Sequence, residues 1–589
     1  MRSAMVPGWR ACTLGAFVLW RDRGKRVAID RRGIPGLPER PRAAAIGAGL
    51  RRSYPVGRGE FSRGSVGSVF EVSFTTDRAL PAGVRAVLDT TMNAPAGEWL
   101  SAPIERVDER TFRCRITPER TGFFAFRARA SLDGGATWVR DAVPLAWVMV
   151  DPPQVDGLRM YTMIPRVSGT IAEWAGDLER IQAMGFDTVH LLPVTARDVS
   201  ESPYAARDLF EVDHAYLMEG ARGDGLRELE GFVERARGLG VRLCFDLVLN
   251  HVGVRSTMAR RAPGWIVPDE ASADGNKRAR YWDGSGWGVW DDLVLINYEH
   301  PSETTRAEIW HYMTEYALFW AHYADLTGGF VRLDNLHGSN REFVTAVART
   351  LSAEYPRLGV LAEYFTDDAT LLATVPECGL NLVLATPWTY KYVPELRAYL
   401  RSLHHLSGQV RYFMPINSHD SGSPAQEFGT AESTVPRYVA AALLGTGATG
   451  ITQGVEWGIA ERIGFIGGVE RIPRPEPARF GAFIRRVNEI LGAHPALRRG
   501  GNCEFVDSDH HAVIAALRRD GAEGFLVACN LDIGGAHAVV CDLSRWFGRG
   551  ASLEGEELLE GARGRFSAER VELALGPCGA AVWRLRAES

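Results

Sequence analysis

VRLCFDLVLNH (241–251) is an apolar run with Asp246 inside it and Asn250 and His251 where it stops. The preceding stretch, LRELEGFVERARGLG (226–240), repeats its apolar residues at steps of three and four and ends on a glycine. That periodicity predicts a helix, and the glycine marks its end. A helix feeding an uninterrupted apolar strand is the unit of a parallel sheet buried on both faces. The same form recurs at LRMYTMIP (158–165), FDTVHLLP (186–193), GFVRLD (329–334), RLGVLAE (357–363), LNLVLATPW (380–388), VRYFMPIN (410–417) and GATGITQG (447–454). IAEWAGDLERIQAMG (171–185) and AEIWHYMTEYALFWAHY (307–323) have the helical step between such strands. Eight strands alternating with helices predict a (β/α)8 barrel of the α/β class, with a doubly wound sheet as the alternative.

In such a barrel all strand ends open onto one face, where chemistry is placed. VRLDNLH (331–337), VLAEYF (360–365) and INSHD (416–420) put Asp334, Glu363 and Asp420 at three of those ends. Paired carboxylates flanking one bond suit attack on a glycosidic linkage. Arg332 lies two residues before Asp334, on the same side of the strand, where a guanidinium favours an ionised carboxylate. Glu363 ends an apolar strand, and partial desolvation there is expected to raise its pKa toward that of a working acid.

The chain has 589 residues, too many for one core. Residues 1–58 are rich in Arg, Gly and Pro without periodicity and read as a poorly ordered extension. Residues 59–150 alternate in the strand manner and predict a β-sandwich, for which no particular residue indicates a ligand. The barrel is expected over 151–495, with an insert at 252–306 carrying Trp265, Trp282, Trp287 and Trp290. A connection that long is usually functional, and it reads as a subdomain over the barrel mouth. Residues 496–589 return to β alternation and predict an antiparallel domain.

A net charge of −5 gives no electrostatic reason for a nucleic-acid partner. No stretch has the ~18 consecutive apolar residues of a membrane span. Eight scattered cysteines form no CxxC pair, so neither a zinc nor a redox role is indicated. A reducing, cytoplasmic setting is the simpler expectation, with export the alternative because ACTLGAFVLW (11–20) faintly has the form of a leader core. Oligomeric state is left open.

Taken together, the four segments resemble the four signature regions of glycoside hydrolase family 13, the α-amylase family. They occur in the family's order, on the third, fourth, fifth and seventh strands. The resemblance implies a retaining enzyme that cleaves or transfers α-1,4-glucosidic bonds in an α-glucan or maltooligosaccharide through a covalent glycosyl intermediate. It implies Asp334 as nucleophile, Glu363 as acid and base, and Asp420 as the third carboxylate. It further implies sugar contacts from Tyr204, His251, Arg332, His337 and His419, with Asp246 and Asn250 structural beside the site. No cofactor is required. Asn250 matches a calcium ligand of many members, so calcium is possible; one amide oxygen supplies only a part of the about six to eight that calcium takes, and the rest would come from the long insert. Gln453 and Glu456 match a structural segment after the last strand. His337 and Gly338 stand where the common amylase pattern has Lys-His. RLDNLH, SPYAARD (202–208) and SHDSGSP (418–424) are closer to the glucanotransferase part of glycogen debranching enzymes. Alternatives are a maltosyltransferase using maltose 1-phosphate, from which NH at 250–251 departs, and a silent carbohydrate-binding member of the fold.

Overall fold

The computed structural model describes residues 50–52 and 61–588, apart from 77–78, 96–97, 132, 141–145, 220–224, 283–286 and 507–509. The chain forms two compact units, residues 1–150 with 350–356, and residues 151–349 with 357–589.

In the first unit, two antiparallel sheets enclose Phe70, Val72, Leu88, Phe124, Phe126 and Val148. One has Leu50–Arg52, Phe70–Thr76, Thr111–Ile116 and Glu105–Arg106. The other runs Ser62–Ser65, Ala146–Asp151, Gly122–Ser131, Arg85–Thr90 and Leu100–Pro103, with Val139–Arg140 beside Gly122–Ser131. The extension read over 1–58 lies outside the described residues except at Leu50–Arg52. There the expectation of disorder is corrected, because Leu50 pairs with Thr76 and Arg52 with Phe74.

In the second unit, eight parallel strands close into a barrel: β1 (Arg159–Met163), β2 (Thr188–Leu191), β3 (Arg242–Leu247), β4 (Phe330–Leu333), β5 (Gly359–Ala362), β6 (Leu382–Leu384), β7 (Tyr412–Pro415) and β8 (Ala448–Thr452). Each lies within one of the eight apolar runs, and β8 pairs back on β1 through Met160 and Gly450. The (β/α)8 expectation therefore holds over the doubly wound alternative. Gly185 and Gly240 sit at φ +82° and +71° after helices Ile171–Ala183 and Gly225–Leu239, conformations that only glycine adopts freely.

The floor of the barrel is a plug of Leu158, Met160, Cys244, Phe330, Leu361, Leu382 and Phe413. Side chains alternate along a strand, so the next inward position lies one step nearer the mouth. Above Cys244 comes Asp246, above Phe330 come Arg332 and then Asp334, and above Leu361 comes Glu363. The apolar plug excludes water from below, and the charged layer rests on it.

The insert after β3 holds a three-stranded antiparallel sheet of His251–Gly253, Trp287–Leu295 and Arg278–Trp282. Its last residues already belong to the long helix Glu303–Asp325. Ala279, Leu293, Trp290 and Leu295 pack on Ala205, so the insert supports the loop after β2 that carries Tyr204. The side chains of Trp282 and Trp287 lie outside the described residues. Antiparallel sheets complete the chain, a six-stranded one from Cys503–Phe505 to Ala580–Ala587 and a pair, His537–Cys541 with Val571–Leu575. No helix among the described residues is long and apolar enough to cross a membrane.

Candidate active site

Arg332 is the hub of the barrel mouth. Its Nη1 donates to Asp246 Oδ2 at 2.6 Å and to Asp334 Oδ1 at 3.0 Å, and its Nη2 donates to Glu363 Oε2 at 2.8 Å. The side chain is 5% exposed. Burial works against its charge, but Asp246, Glu363, Tyr204 and Asp334 outweigh burial and keep the guanidinium protonated. A planar fork with five donors can serve three carboxylates at once, which a lysine cannot.

Each carboxylate is left with one oxygen for chemistry. No hydrogen bond from the described residues reaches Asp334 Oδ2 or Glu363 Oε1, while their partner oxygens are held by Arg332. Glu363 Oε2 also accepts from the backbone N–H of Asn335 at 3.0 Å. Asn335 reaches it from a left-handed conformation, φ +44°, which turns the chain sharply after the nucleophile candidate. Burial pushes the Asp334 carboxyl well above the ordinary aspartate value, Arg332 opposes this, and the negative charges of Glu363, Asp246 and Asp420 add to it. Against the burial penalty, Arg332 and the His190 ring hold Asp246 below its ordinary value. Asp246 is therefore the permanent anion that balances the guanidinium.

Tyr204 sits on the loop after β2 and donates its hydroxyl to Asp246 Oδ2 at 3.0 Å. With that proton committed, the 2.7 Å contact to His419 Nε2 is a donation from the imidazole. The two rings lie 9° from parallel with centroids 5.6 Å apart. Burial and the Arg332 charge push His419 down to about 3, so it is neutral at ordinary pH. The same Nε2 lies 3.1 Å from Asp420 Oδ2. Asp420 has a 54% exposed side chain and opens toward solvent, unlike the two carboxylates on Arg332. Its backbone carbonyl accepts from Arg462 at 2.7 Å.

Not every residue expected at the site touches this hub. His337 is exposed on the turn after β4, with its ring 5.5 Å from that of Phe365. His251 is 2% exposed and lies against Trp290, and burial pushes it down to about 4. Neither of its ring nitrogens has a partner among the described residues. Asn250 Oδ1 and Asn335 Oδ1 are likewise buried without partners. Two neutral amide oxygens do not make the ligand shell of a calcium ion. Among the described residues no group of three or more His, Cys, Asp or Glu is placed to hold a metal.

Three participants escaped the sequence reading. His190 on β2 contacts Asp246 Oδ2 at 3.3 Å and Thr162 at 3.2 Å. Its signal was a lone histidine inside the apolar run FDTVHLLP, at an inward position. Phe465, from the loop after β8, sets its edge against Tyr204 and His419 at 5.8 and 5.3 Å. Arg462 belongs to the same loop, and nothing in the local sequence marked either residue.

Residues 152–266 match the family model for the glucanotransferase domain of glycogen debranching enzyme. The α-1,4-glucan:maltose-1-phosphate maltosyltransferases of Salinibacter ruber and Rhodospirillum rubrum are 26% and 25% identical, over 65% and 67% of this chain. The chain is similar to proteins of the α-amylase family. Solved structures of α-amylase type share its fold. A maltogenic α-amylase from Thermotoga neapolitana superposes with a TM-score of 0.60 at 20% identity, over 73% of this chain and 99% of that one. A cyclomaltodextrinase superposes at 0.58 with 16% identity, over 91% of this chain and 99% of its own. The match spans 61% and 60% of the length of the two maltosyltransferases, so it covers only part of what those family members contain.

Proposed function

We propose that this chain is a retaining enzyme of α-1,4-glucans that passes the cleaved glycosyl group to a sugar acceptor in preference to water. The observation that carries the proposal is the Arg332 hub, which holds one oxygen each of Asp334 and Glu363 and leaves the other free. Asp334 Oδ2 attacks the anomeric carbon while Glu363 Oε1–H protonates the departing glycosidic oxygen. The C–O bond to the leaving chain breaks and a glycosyl ester on Asp334 forms. Glu363, now a carboxylate, removes the proton of the incoming hydroxyl, and that oxygen displaces Asp334 with overall retention. The cluster has more carboxylates than cations, so it keeps a proton. In the free cleft burial favours Asp334 as its holder, and the reaction requires it on Glu363. Neutral His419 and Tyr204 hold the sugar without competing for that proton, and Asp420 faces the substrate hydroxyls.

The preference for transfer rests on the debranching-type match and on RLDNLH in place of the common amylase pattern. Cys114, Cys244, Cys378, Cys529 and Cys578 form no disulfide, which suits a reducing compartment such as the cytoplasm. A time course with maltoheptaose, resolved by chain length, tests the proposal. Chains both longer and shorter than seven units are expected. Only shorter ones would mean hydrolysis, and no turnover would end the enzyme reading. A second reading, transfer of maltose from maltose 1-phosphate, is favoured by the names of the relatives. Phosphate release with maltose 1-phosphate and glycogen, absent without the acceptor, would select it.

A further inference from the structure

The first unit carries a surface that none of the catalytic machinery uses. Strand Gly122–Ser131 turns Phe124, Phe126 and Ala128 inward, so Arg127 and Arg129 share the opposite face. Between them lies Asp89 of strand Arg85–Thr90, only 3% exposed. Arg127 Nε donates to Asp89 Oδ2 at 3.1 Å, Arg129 Nη2 donates to Oδ1 at 2.8 Å, and Ser101 Oγ donates to Oδ1 at 2.8 Å. Arg129 Nη2 also donates to Ser101 Oγ at 3.0 Å.

A tryptophan lies over each guanidinium. Trp99 has its ring 4.3 Å from the Arg127 carbon and Trp138 has its ring 4.9 Å from the Arg129 carbon. Both indoles are partly exposed. The loop bearing Trp138 is pinned by Asp133, whose Oδ1 accepts from Ser131 Oγ at 2.7 Å and from the N–H of Thr137 at 2.8 Å. Each indole is thus a fixed plane with its inner face on a guanidinium and its rotamer already chosen. Arg127 and Arg129 are alternate residues of one strand, about 7 Å apart, so the two indoles cover neighbouring guanidinium groups.

We infer that Trp99 and Trp138 form a second glucan-binding site, on the first unit, which anchors long chains. Partly exposed aromatic planes of this kind stack on the C–H faces of pyranose rings, and Ser101 beside them meets hydroxyls. Two such planes suit a polymer with repeated rings better than a single sugar. A phosphate-bearing ligand fits poorly, because both guanidinium groups are turned onto Asp89 and covered by the indoles. The identity of the ligand rests on the glucan reading above, since nothing else in the chain names the polymer.

Native gel electrophoresis of the full chain in glycogen tests the site, with dextran as the control polymer. Trp99→Ala/Trp138→Ala is expected to weaken retardation by glycogen about tenfold, while turnover of maltoheptaose stays within about twofold. Trp99→Phe/Trp138→Phe keeps the planes and is expected to restore most of the retardation, which separates a lost surface from a damaged sandwich. A double alanine variant retarded like wild type, or a wild type that glycogen does not retard, overturns the inference. Loss of maltoheptaose turnover in the wild type is a different result and overturns the proposed function instead.

Discussion

Asp334 shows how a useful group is also a costly one. It is 7% exposed, and it shares one guanidinium with two other carboxylates. Its folded-state pKa lies above its unfolded value near 3.9. Between those two values the folded chain binds more protons than the unfolded chain, so this group's contribution to stability falls as pH rises. Asp334→Asn removes the titration and keeps an oxygen for Arg332. The variant is expected to lose roughly 10⁴-fold in turnover. It is expected to gain about 1–3 kcal/mol over wild type at pH 8, and to lose that gain as pH approaches 4. Melting curves at the two pH values read this, and an equal or lower midpoint at pH 8 would show that burial does not strain the carboxylate. If Asp334 is the nucleophile proposed above, the same shift places the acid limb of kcat/KM above the range of an ordinary aspartate, because a nucleophilic carboxylate works only when ionised.

At the scale of strands, two periodicities explain what was legible. Buried parallel strands are apolar on both faces, so VRLCFDLVL stands out against its amphipathic helix, and all eight strands could be found this way. Period two then carries Asp246, Arg332, Asp334 and Glu363 to the same side, which made the charged layer readable. His190 was not readable, because a single polar residue in an apolar run has the same appearance whether it faces the mouth or a helix. Loop partners such as Phe465 and Arg462 depend on where a long connection folds back, and no periodicity encodes that. Close approach of strands is also invisible in a sequence. A Cβ on Gly450 of β8 would lie 2.3 Å from the carbonyl oxygen of Met160 on β1, at the seam that closes the barrel. Gly450→Ala is expected to destabilise by about 3 kcal/mol or more, measured by denaturant unfolding. Gly231, inside helix Gly225–Leu239, meets nothing within 4 Å, and alanine there is expected to stabilise by about 0.5–1 kcal/mol. If both substitutions cost alike, strand crowding is not what Gly450 relieves.

Across the second unit, the barrel and the C-terminal sheets are tied by a buried cation. Arg518, on strand Val513–Asp520, is fully buried. Its Nη1 donates to the carbonyls of Leu443 and Gly445, each at 2.8 Å, where helix Thr434–Leu443 turns toward β8. Its Nη2 donates to the carbonyls of Ala496, Leu497 and Arg499, and Nε donates to Asn502 Oδ1 at 2.9 Å. The cation is thus held by carbonyl dipoles, and burial lowers its pKa. In the sequence it is one more basic residue at the end of an alternating strand, with nothing to mark it as the link. The carbonyls it serves lie on the segments that lead into β8 and out of the barrel, so losing them loosens the seam at Gly450 from outside. Arg518→Ala takes their donor from the buried carbonyls of Leu443 and Gly445, and the expected cost is about 3–5 kcal/mol. Because the link lies away from the mouth, KM for maltoheptaose is expected to stay unchanged below the melting temperature while the midpoint falls. Calorimetry of the full chain should show the barrel and the C-terminal sheets melting in one transition in wild type and at lower temperature in the variant. An unchanged midpoint would mean that the apolar contacts between the two layers suffice, and that Arg518 adds nothing they do not already provide.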